Sequence, residues 1–139
     1  MRVIHEEAVI ELDGEGGMAD ITNVVREVVR KSGIREGLVN IFSVGSTAGV
    51  TTIEYEDGLI QDFRDAVERL FPRDIEYRHN LKWRDYNGHS HIRASFIKPS
   101  LTIPVVDGVP VLGTWQQIVL INFDNRPRSR KIIITCMGV

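Results

Sequence analysis

The chain has 139 residues, 42% hydrophobic and 26% charged, a composition typical of a soluble globular protein rather than a disordered one. The length predicts one domain, residues 1–139, with one core. A formal net charge of -2 argues against a general nucleic-acid-binding protein, and no apolar run approaches the ~20 residues that a membrane span needs. A single cysteine, Cys136, and the absence of a signal-type apolar segment predict a cytoplasmic location.

The first half of the chain predicts strands around one amphipathic helix. Residues 2–12 alternate loosely, which favours a strand, and glycines at 14, 16 and 17 predict a turn. Asp20 is the predicted N-cap of a helix that Gly33 ends, since apolar residues follow at i, i+3, i+4 and i+7. Residues 38–44 and 50–55 predict two strands separated by a turn of small residues.

The second half predicts one further long helix and then mainly strands. Residues 59–71 share an apolar helical face that ends at Pro72, and residues 72–88 predict a polar loop of the kind that covers or binds a ligand. Residues 88–98 predict a short helix. Strand segments at 100–112, around the turn Asp107-Gly108, precede strands at 114–123 and 130–137. About seven strands and two or three helices, in runs, predict an α+β fold with a largely antiparallel sheet.

Three short motifs each leave two interpretations open. The turn Ser46-Thr47-Ala48-Gly49 is typical of an anion-binding nest or of a tight hairpin that caps its own backbone. The run Gly113-Thr114-Trp115-Gln116 indicates either the wall of a ligand pocket or a packed tryptophan beside a glycine kink. A basic cluster near the C-terminus favours a solvated turn and strand edge over a phosphate site (Arg126, Arg128, Arg130, Lys131).

The histidines raise the question of a metal site. His89 and His91 share a face in a strand but not in a helix. Neutral imidazoles bind divalent metal ions such as Zn, and a carboxylate such as Glu54 would complete a ligand set of His89, His91 and Glu54. Because His-x-His alone is a weak signal, a divalent ion (Mg or Zn) is one interpretation among several.

Over nearly its whole length the chain resembles the YjbQ-like family, described as secondary thiamine-phosphate synthases. The resemblance is carried by Ser100, Ile103, Gly108, the run Gly113–Gln116 and Ile118. It continues through Ser46–Gly49, Glu54, His79-Asn80, His91, Ser95, Asn122-Phe123-Asp124 and Gly138. The chain departs from the pattern at Gly45, where many members carry histidine, and at His89, which only some branches share.

The resemblance implies a β-sandwich that assembles as a homotrimer, and an enzyme that joins hydroxymethylpyrimidine diphosphate to hydroxyethylthiazole phosphate with release of pyrophosphate. It implies catalytic roles for Glu54, His79 and His91, with the diphosphate held at Ser46–Gly49. Thr114, Trp115 and Gln116 would then line the substrate pocket. We further hypothesise that His89 fills the space that Gly45 vacates. The alternatives are a non-catalytic trimer that binds a phosphorylated metabolite or a divalent metal, and a purely structural role for the histidines.

Overall fold

The computed structural model describes all residues from Met1 to Val139 and contains eight strands and four helices. The elements in chain order are β1 (Arg2–Leu12), β2 (Gly17–Asp20), α1 (Thr22–Ser32), β3 (Gly37–Val44), β4 (Ala48–Ile53), α2 (Asp57–Leu70), α3 (Arg78–Trp83), α4 (Gly88–Ile97), β5 (Ser100–Val106), β6 (Val109–Pro110), β7 (Gln117–Asn122) and β8 (Arg128–Gly138). The predicted α+β class is confirmed, although the sequence does not reveal the short elements β2 and α3.

Two antiparallel sheets face each other across the core. The larger has the strand order β1-β8-β3-β5-β6, and the smaller has the order β2-β7-β4. Sixteen buried residues from both sheets and α1 form the main core, among them Val25, Ile41, Ile118 and Ile134. This arrangement is the predicted sandwich, because each sheet buries one face against the other.

The smaller sheet is covered on its second face by helices. Val119 and Ile121 of β7 join Val67 of α2, Ala94 of α4 and Phe123 in a second apolar cluster. Since Ile118 and Leu120 point into the main core, every residue from 118 to 121 is buried. β7 is therefore the central strand that holds α4 in place over the end of β4.

The ends of several elements differ from the prediction. Asp20 is not the N-cap of α1; Ile21 occupies that position, and the Asp20 carboxylate accepts hydrogen bonds from the Thr22 N–H (2.9 Å) and hydroxyl (2.6 Å). The predicted loop 72–88 contains α3. β7 begins only at Gln117, because residues 113–116 form a turn closed by a Gln116 N–H donor to the Gly113 carbonyl (3.0 Å).

The turn at Asp107-Gly108 is confirmed, with positive φ angles of 52° and 79° at its two residues. Pro110 ends up in the two-residue strand β6, at the edge of the larger sheet, where its missing N–H costs no ladder hydrogen bond. Each of the four helices is too short or too polar to span a lipid bilayer.

Candidate functional site

The site begins at the corner between β3 and β4. In the antiparallel β3–β8 register Val44 pairs with Lys131, so the next step along both strands brings Gly45 beside Arg130. Gly45 has φ 145°, a conformation that disfavours L side chains, and a Cβ there would lie 3.1 Å from Arg130 Nη1. The missing side chain therefore leaves room for the guanidinium at the corner.

Arg130 is a buried cation with only neutral partners. Its side chain, 6% exposed as a residue, donates to the Asn122 Oδ1 (2.6 Å from Nη2) and to the Thr47 hydroxyl. Nη1 makes no hydrogen bond within the chain and faces the corner. Burial, and then the neighbouring Arg128, lower the pKa of Arg130, yet a guanidinium stays protonated. A buried charge of this kind is stabilised when an anion binds beside it.

Asp124 organises the opposite wall. Its carboxylate accepts from Arg128 Nε (2.8 Å), from Asn87 Nδ2 (3.1 Å) and from the Asn125 N–H (2.8 Å). Burial alone would raise the pKa of Asp124, but these hydrogen bonds, led by the one from Arg128, bring it below its ordinary value. Asp124 thus stays ionised and pairs with Arg128, which leaves Arg130 without a carboxylate.

Two histidines meet above the corner. Gly49 allows α4 to pack on β4, since a Cβ there would lie 2.8 Å from Ile97 Cγ2. Gly88 similarly lets the start of α4 approach Tyr77 and donates its N–H to Asn80 Oδ1 (2.9 Å). This close contact of α3 with α4 places the rings of His79 and His91 with centroids 4.4 Å apart and planes at 44°.

The protonation of this pair follows from its surroundings. Burial, and then the proximity of His79, lower the pKa of His91, an effect that Asp85 and Asp124 only partly oppose. His91 is therefore neutral near pH 7, with one nitrogen able to donate and one to accept. His79 Nδ1 lies 3.5 Å from Asp85 Oδ1, so a carboxylate stands behind the second ring.

These groups line one polar cleft of about 430 Å³. Its lining residues are Gly45, Ser46, Thr47, His79, Trp83, Asp85, Asn87, His91, Arg128 and Arg130. The Oδ1 of buried Asn87 has no hydrogen-bond partner in the chain. The cleft thus combines a cation for an anionic group, a free acceptor for an N–H or O–H group, and the neutral imidazole of His91, which can donate or accept a hydrogen bond.

Four of the predicted site residues come together in this cleft. Ser46 and Thr47 line it at the corner, and His79 and His91 line it from above. Ala48 and Gly49, predicted with Ser46 and Thr47 as phosphate ligands, instead begin β4, where they are buried beneath α4. The corner contributes through Gly45, Ser46 and Thr47 rather than through the whole predicted run.

His89 lies on the other side of α4. Residues two apart on a helix point about 200° apart, so His89 and His91 cannot share a face. The His89 ring is fully buried, with Nε2 3.1 and 3.2 Å from the Glu15 carboxylate oxygens. The hypothesis that His89 fills the space beside Gly45 is therefore wrong, because Arg130 borders that space instead.

Glu54 and Trp115 lie together but away from the cleft. Ser46 and Thr47 precede β4, whereas Glu54 follows it, which separates them by about 20 Å of strand. Glu54 and Trp115 line a second surface with Asp20, Tyr55, Glu56, Asp57 and Gln117. Thr114 is exposed in the neighbouring turn, and Gln116 Nε2 donates to the Thr52 hydroxyl (3.1 Å). Within one chain, this segment does not line the histidine cleft.

The predicted metal ligands are consequently dispersed. His91 lies in the cleft, His89 lies beside Glu15, and Glu54 lies beyond the far end of β4. No group of three histidine, cysteine, aspartate or glutamate side chains converges in the chain closely enough to hold a metal ion. The donor set of a single chain thus does not fit the predicted site.

The sequence analysis did not assign a role in the site to several residues: Arg130, Arg128, Asp85, Asn87, Asn122 and Asp124. One signal was available: Arg128 and Arg130 lie at alternate positions before Ile132 and Ile134, which places all four on the inward face of one strand. The basic cluster is in this respect misread, because only Arg126 and Lys131 are exposed like a solvated edge.

Comparison with known proteins places this site in a family. Residues 6–139 match the family described as UPF0047 protein YjbQ-like. The chain is 37% identical to a UPF0047 protein of Methanothermobacter thermautotrophicus over 99% of this chain and 94% of that one. It is 42% identical to UPF0047 protein Rv2556c of Mycobacterium tuberculosis, over 83% of this chain and 86% of that one.

Solved structures agree with the sequence relatives. A YbjQ-like protein of unknown function from Sulfolobus solfataricus superposes with a TM-score of 0.94 at 32% identity, covering 99% of both chains. An uncharacterised YjbQ/UPF0047 protein from Clostridium acetobutylicum superposes with a TM-score of 0.87 at 32% identity, covering 95% of this chain and 99% of that one. The chain belongs to the YjbQ-like UPF0047 family.

Proposed function

We propose that the cleft binds the diphosphate of a phosphorylated substrate and that the protein is a secondary thiamine-phosphate synthase-like transferase. In this reaction hydroxymethylpyrimidine diphosphate and hydroxyethylthiazole phosphate are joined and pyrophosphate is released. The observation that carries the proposal is Arg130, a buried guanidinium with no carboxylate partner and an unbonded Nη1 at the glycine corner. The family resemblance supplies the identity of the two substrates.

The proposed chemistry is a displacement at the pyrimidine methylene carbon. The bond from that carbon to the diphosphate oxygen breaks, and its electron pair leaves with the diphosphate. The lone pair of the thiazole nitrogen forms the new carbon–nitrogen bond and leaves a thiazolium cation. Negative charge therefore grows on the leaving oxygen, where Arg130 and the hydroxyls of Ser46 and Thr47 lower the barrier as preorganised donors.

The histidine pair serves the leaving group in this proposal. Neutral His91 can donate a hydrogen bond from its ring N–H to the departing diphosphate and so stabilise the charge that grows on it. His79, backed by Asp85, orients its neighbour through the 4.4 Å ring contact. Asn87 Oδ1 would accept from an amino group on the substrate ring.

A divalent cation, Mg or Zn, remains part of the proposal, although the chain does not assemble a closed ligand set for it. Mg²⁺ in phosphate-transfer sites is commonly held by one or two carboxylates together with the substrate phosphates, and Asp85 is the carboxylate that lines the cleft. Chelation with EDTA followed by turnover and pyrophosphate-binding measurements tests this requirement.

Homotrimer formation also remains a proposal. Apolar side chains are exposed on the outer face of the larger sheet, which supports association with further copies (Val3, Val9, Leu38, Phe42, Val44, Met137). Sedimentation equilibrium measures the assembly. The cytoplasmic location also stays a prediction, and fluorescence microscopy of the tagged protein tests it.

The test of the proposed function combines binding and turnover. Calorimetric titration with inorganic pyrophosphate should show binding that Arg130→Met weakens at least about tenfold, the usual scale for a charge-assisted hydrogen bond. Turnover of the two substrates should be lost in His91→Ala, while pyrophosphate binding should weaken less than in Arg130→Met, because a neutral hydrogen bond contributes less than a charge-assisted one. Absence of pyrophosphate binding by the unmodified protein would contradict the proposal.

The alternative is a binding protein that uses the same cleft without catalysis. The open shape of the cleft favours it, because a transferase must exclude water from the methylene carbon on which positive charge develops as the diphosphate leaves. Binding of pyrophosphate and of the pyrimidine diphosphate with no product formed would identify this second function.

A further inference from the structure

The cleft of one chain is open on the side of α3. The segment 78–86, which we call the α3 segment, borders the cleft through His79, Trp83 and Asp85. It exposes three large side chains: Leu81 by 64%, Trp83 by 63% and Tyr86 by 65%. The segment also carries three exposed cations that form no ion pair in the chain (Arg78, Lys82, Arg84). Lys82 instead lies 5.3 Å from the Trp83 ring centre. Exposed aromatic rings beside unpaired cations are typical of an interface rather than of a free surface.

A surface with acidic instead of basic side chains lies at the end of the β4–β7 pair that is remote from the cleft. We call it the acidic surface, and it consists of Asp20, Glu54, Tyr55, Glu56, Asp57, Trp115 and Gln117. No lysine, arginine or histidine lines it, and none of its four carboxylates forms a salt bridge in the chain. Trp115 is 71% exposed, more than any other aromatic side chain in the protein. This surface contains the two sequence motifs that the cleft does not use, Glu54 and the run Gly113–Gln116.

The two surfaces cannot meet within one chain. The β4–β7 register pairs Ala48 with Asn122 at the cleft end and Ile53 with Gln117 at the acidic end. Six strand residues hold these ends about 20 Å apart. Two complementary patches at opposite ends of a rigid element can be matched by a second copy of the same chain, which carries both. Such a head-to-tail contact is heterologous, and repeated with the right rotation it closes into a ring.

From this complementarity we infer that the acidic surface of a second copy docks on the α3 segment of the first. The docking places the second copy's Glu54 and Trp115 at the open edge of the first copy's cleft. This inference rests on the proposed function, because it names the groups that complete the site. In the first copy's cleft, Arg130 and the free Asn87 Oδ1 bind only part of a substrate, and Glu54 of the second copy adds a carboxylate. Trp115 of the second copy adds a flat ring that covers a bound heterocycle and excludes water.

Tryptophan fluorescence tests the inference without any need for turnover. The protein has two tryptophans, so Trp83→Phe, which keeps an aromatic ring in the α3 segment, leaves Trp115 as the only tryptophan. Sedimentation equilibrium of this variant must match that of the unmodified protein before its fluorescence is interpreted. Pyrophosphate is titrated into this variant by calorimetry and by fluorescence in parallel. We expect Trp115 emission to change with the same midpoint as binding. We also expect the change in emission to disappear when Glu56→Lys and Asp57→Lys are added to this variant, because these substitutions reverse two charges on the acidic surface.

The three results are distinguishable. Pyrophosphate binding with a Trp115 response supports the shared site. Binding with a silent Trp115, or a sedimentation profile of a monomer at the concentrations used, overturns the shared site and leaves the proposed function intact. No binding by the unmodified protein overturns the proposed function and the shared site with it.

Subunit complementation provides a second measurement. Glu54→Gln and His91→Ala are each expected to abolish turnover, and they would lie on opposite sides of a shared site. Coexpression of the two in equal amounts should restore about a quarter of the wild-type activity, because a quarter of randomly assembled sites receive both intact groups. No recovery in mixed assemblies, shown by mass spectrometry to contain both variants, would refute the shared site. Arg26→Glu, an exposed charge reversal on α1, is the control for unspecific effects on assembly.

Discussion

Arg130 and Thr47 are joined by a hydrogen bond from the guanidinium of β8 to the hydroxyl at the start of β4. The bond connects the larger sheet to the smaller one at the position where Gly45 leaves space for a ligand. It means that anion binding and the contact between the two sheets depend on the same side chain. A substitution of Arg130 is therefore expected to change both the affinity of this corner for an anion and the stability of the protein.

Arg130→Met is expected to weaken pyrophosphate binding at least about tenfold, because the only buried cation of the corner is lost. The stability should fall by about 1–3 kcal/mol, since methionine fills the same space but leaves the buried oxygens of Asn122 and Thr47 without this donor. Calorimetry and denaturant unfolding measure the two effects. Lys131→Met is the matched control: its side chain points outward, 3.5 Å from Glu7, and its loss should change neither quantity appreciably.

Gly45→Ala is expected to destabilise the protein by about 1–3 kcal/mol, because the new Cβ meets Arg130 Nη1 and the backbone has φ 145°. Pyrophosphate affinity should fall in parallel as the guanidinium is displaced. Gly113→Ala is the comparison, since a Cβ there would meet nothing nearer than 3.6 Å and no positive φ is involved. Equal effects of the two substitutions on unfolding free energy would contradict the role assigned to Gly45.

The lowered pKa of His91 predicts a loss of stability on mild acidification. In the unfolded chain His91 regains its ordinary pKa of 6.5, so the unfolded state binds more protons as the pH falls below that value. The stability that neutral His91 contributes is fully present above pH 6.5. It is lost as the pH falls from 6.5 toward the lower pKa that His91 has in the folded protein. The cause is burial next to His79, with Asp85 and Asp124 in partial opposition.

Thermal unfolding measured at several pH values between about 5 and 8 tests this expectation. His91→Asn should flatten the dependence of the melting temperature on pH in this interval. Ser95→Ala, a substitution of a non-titrating residue on the same helix, should leave the dependence as it is in the unmodified protein. An undiminished slope in His91→Asn would show that other groups cause it.

Asp124 predicts an effect at lower pH. Hydrogen bonds from Arg128, Asn87 and Asn125 hold the pKa of Asp124 below its ordinary value of 3.8. The stability that the ionised carboxylate contributes is therefore present above pH 3.8 and is lost as the pH falls through the pKa of the folded protein. Asp124→Asn should cost about 1–3 kcal/mol near neutral pH through the loss of a charge-assisted contact to Arg128. The difference in unfolding free energy between Asp124→Asn and the wild type should become smaller at a pH below 3.8. Urea unfolding near neutral pH and at a pH below 3.8 measures this difference. A constant difference would contradict the assigned ionisation.

Local patterns were sufficient for most elements of the fold. The i, i+3, i+4, i+7 spacing of α1 and the alternation in β5 come from side chains on neighbouring turns or pleats, and they are readable without knowledge of the rest of the chain. α3 was missed because residues 72–88 carry no apolar periodicity; it is held by Gly88 and Asn80 against α4 rather than by its own pattern. β2 was missed because its four residues follow a glycine-rich turn.

The candidate site was predictable only in part. Ser46, Thr47, His79 and His91 were named from the sequence, and they do share a cleft. Arg130 was named only within a basic cluster for which a solvated strand edge was favoured, since its importance comes from burial beside Gly45, which the pairing of β3 with β8 decides. His89 was placed wrongly because the interpretation as a ligand required both imidazoles to point to one side, whereas α4 already begins at Gly88 and turns His89 toward Glu15.

By itself the sequence determined the antiparallel α+β architecture, the family and the small corner before β4, because periodicity, turn chemistry and an ordered motif are local properties of the chain. Only the tertiary structure decided which polar groups meet there. Strand register brought Arg130 to Gly45, and helix rotation divided His89 from His91. The length of β4 carried Glu54 out of reach, since contacts between distant residues depend on how elements pack and not on their spacing in the sequence.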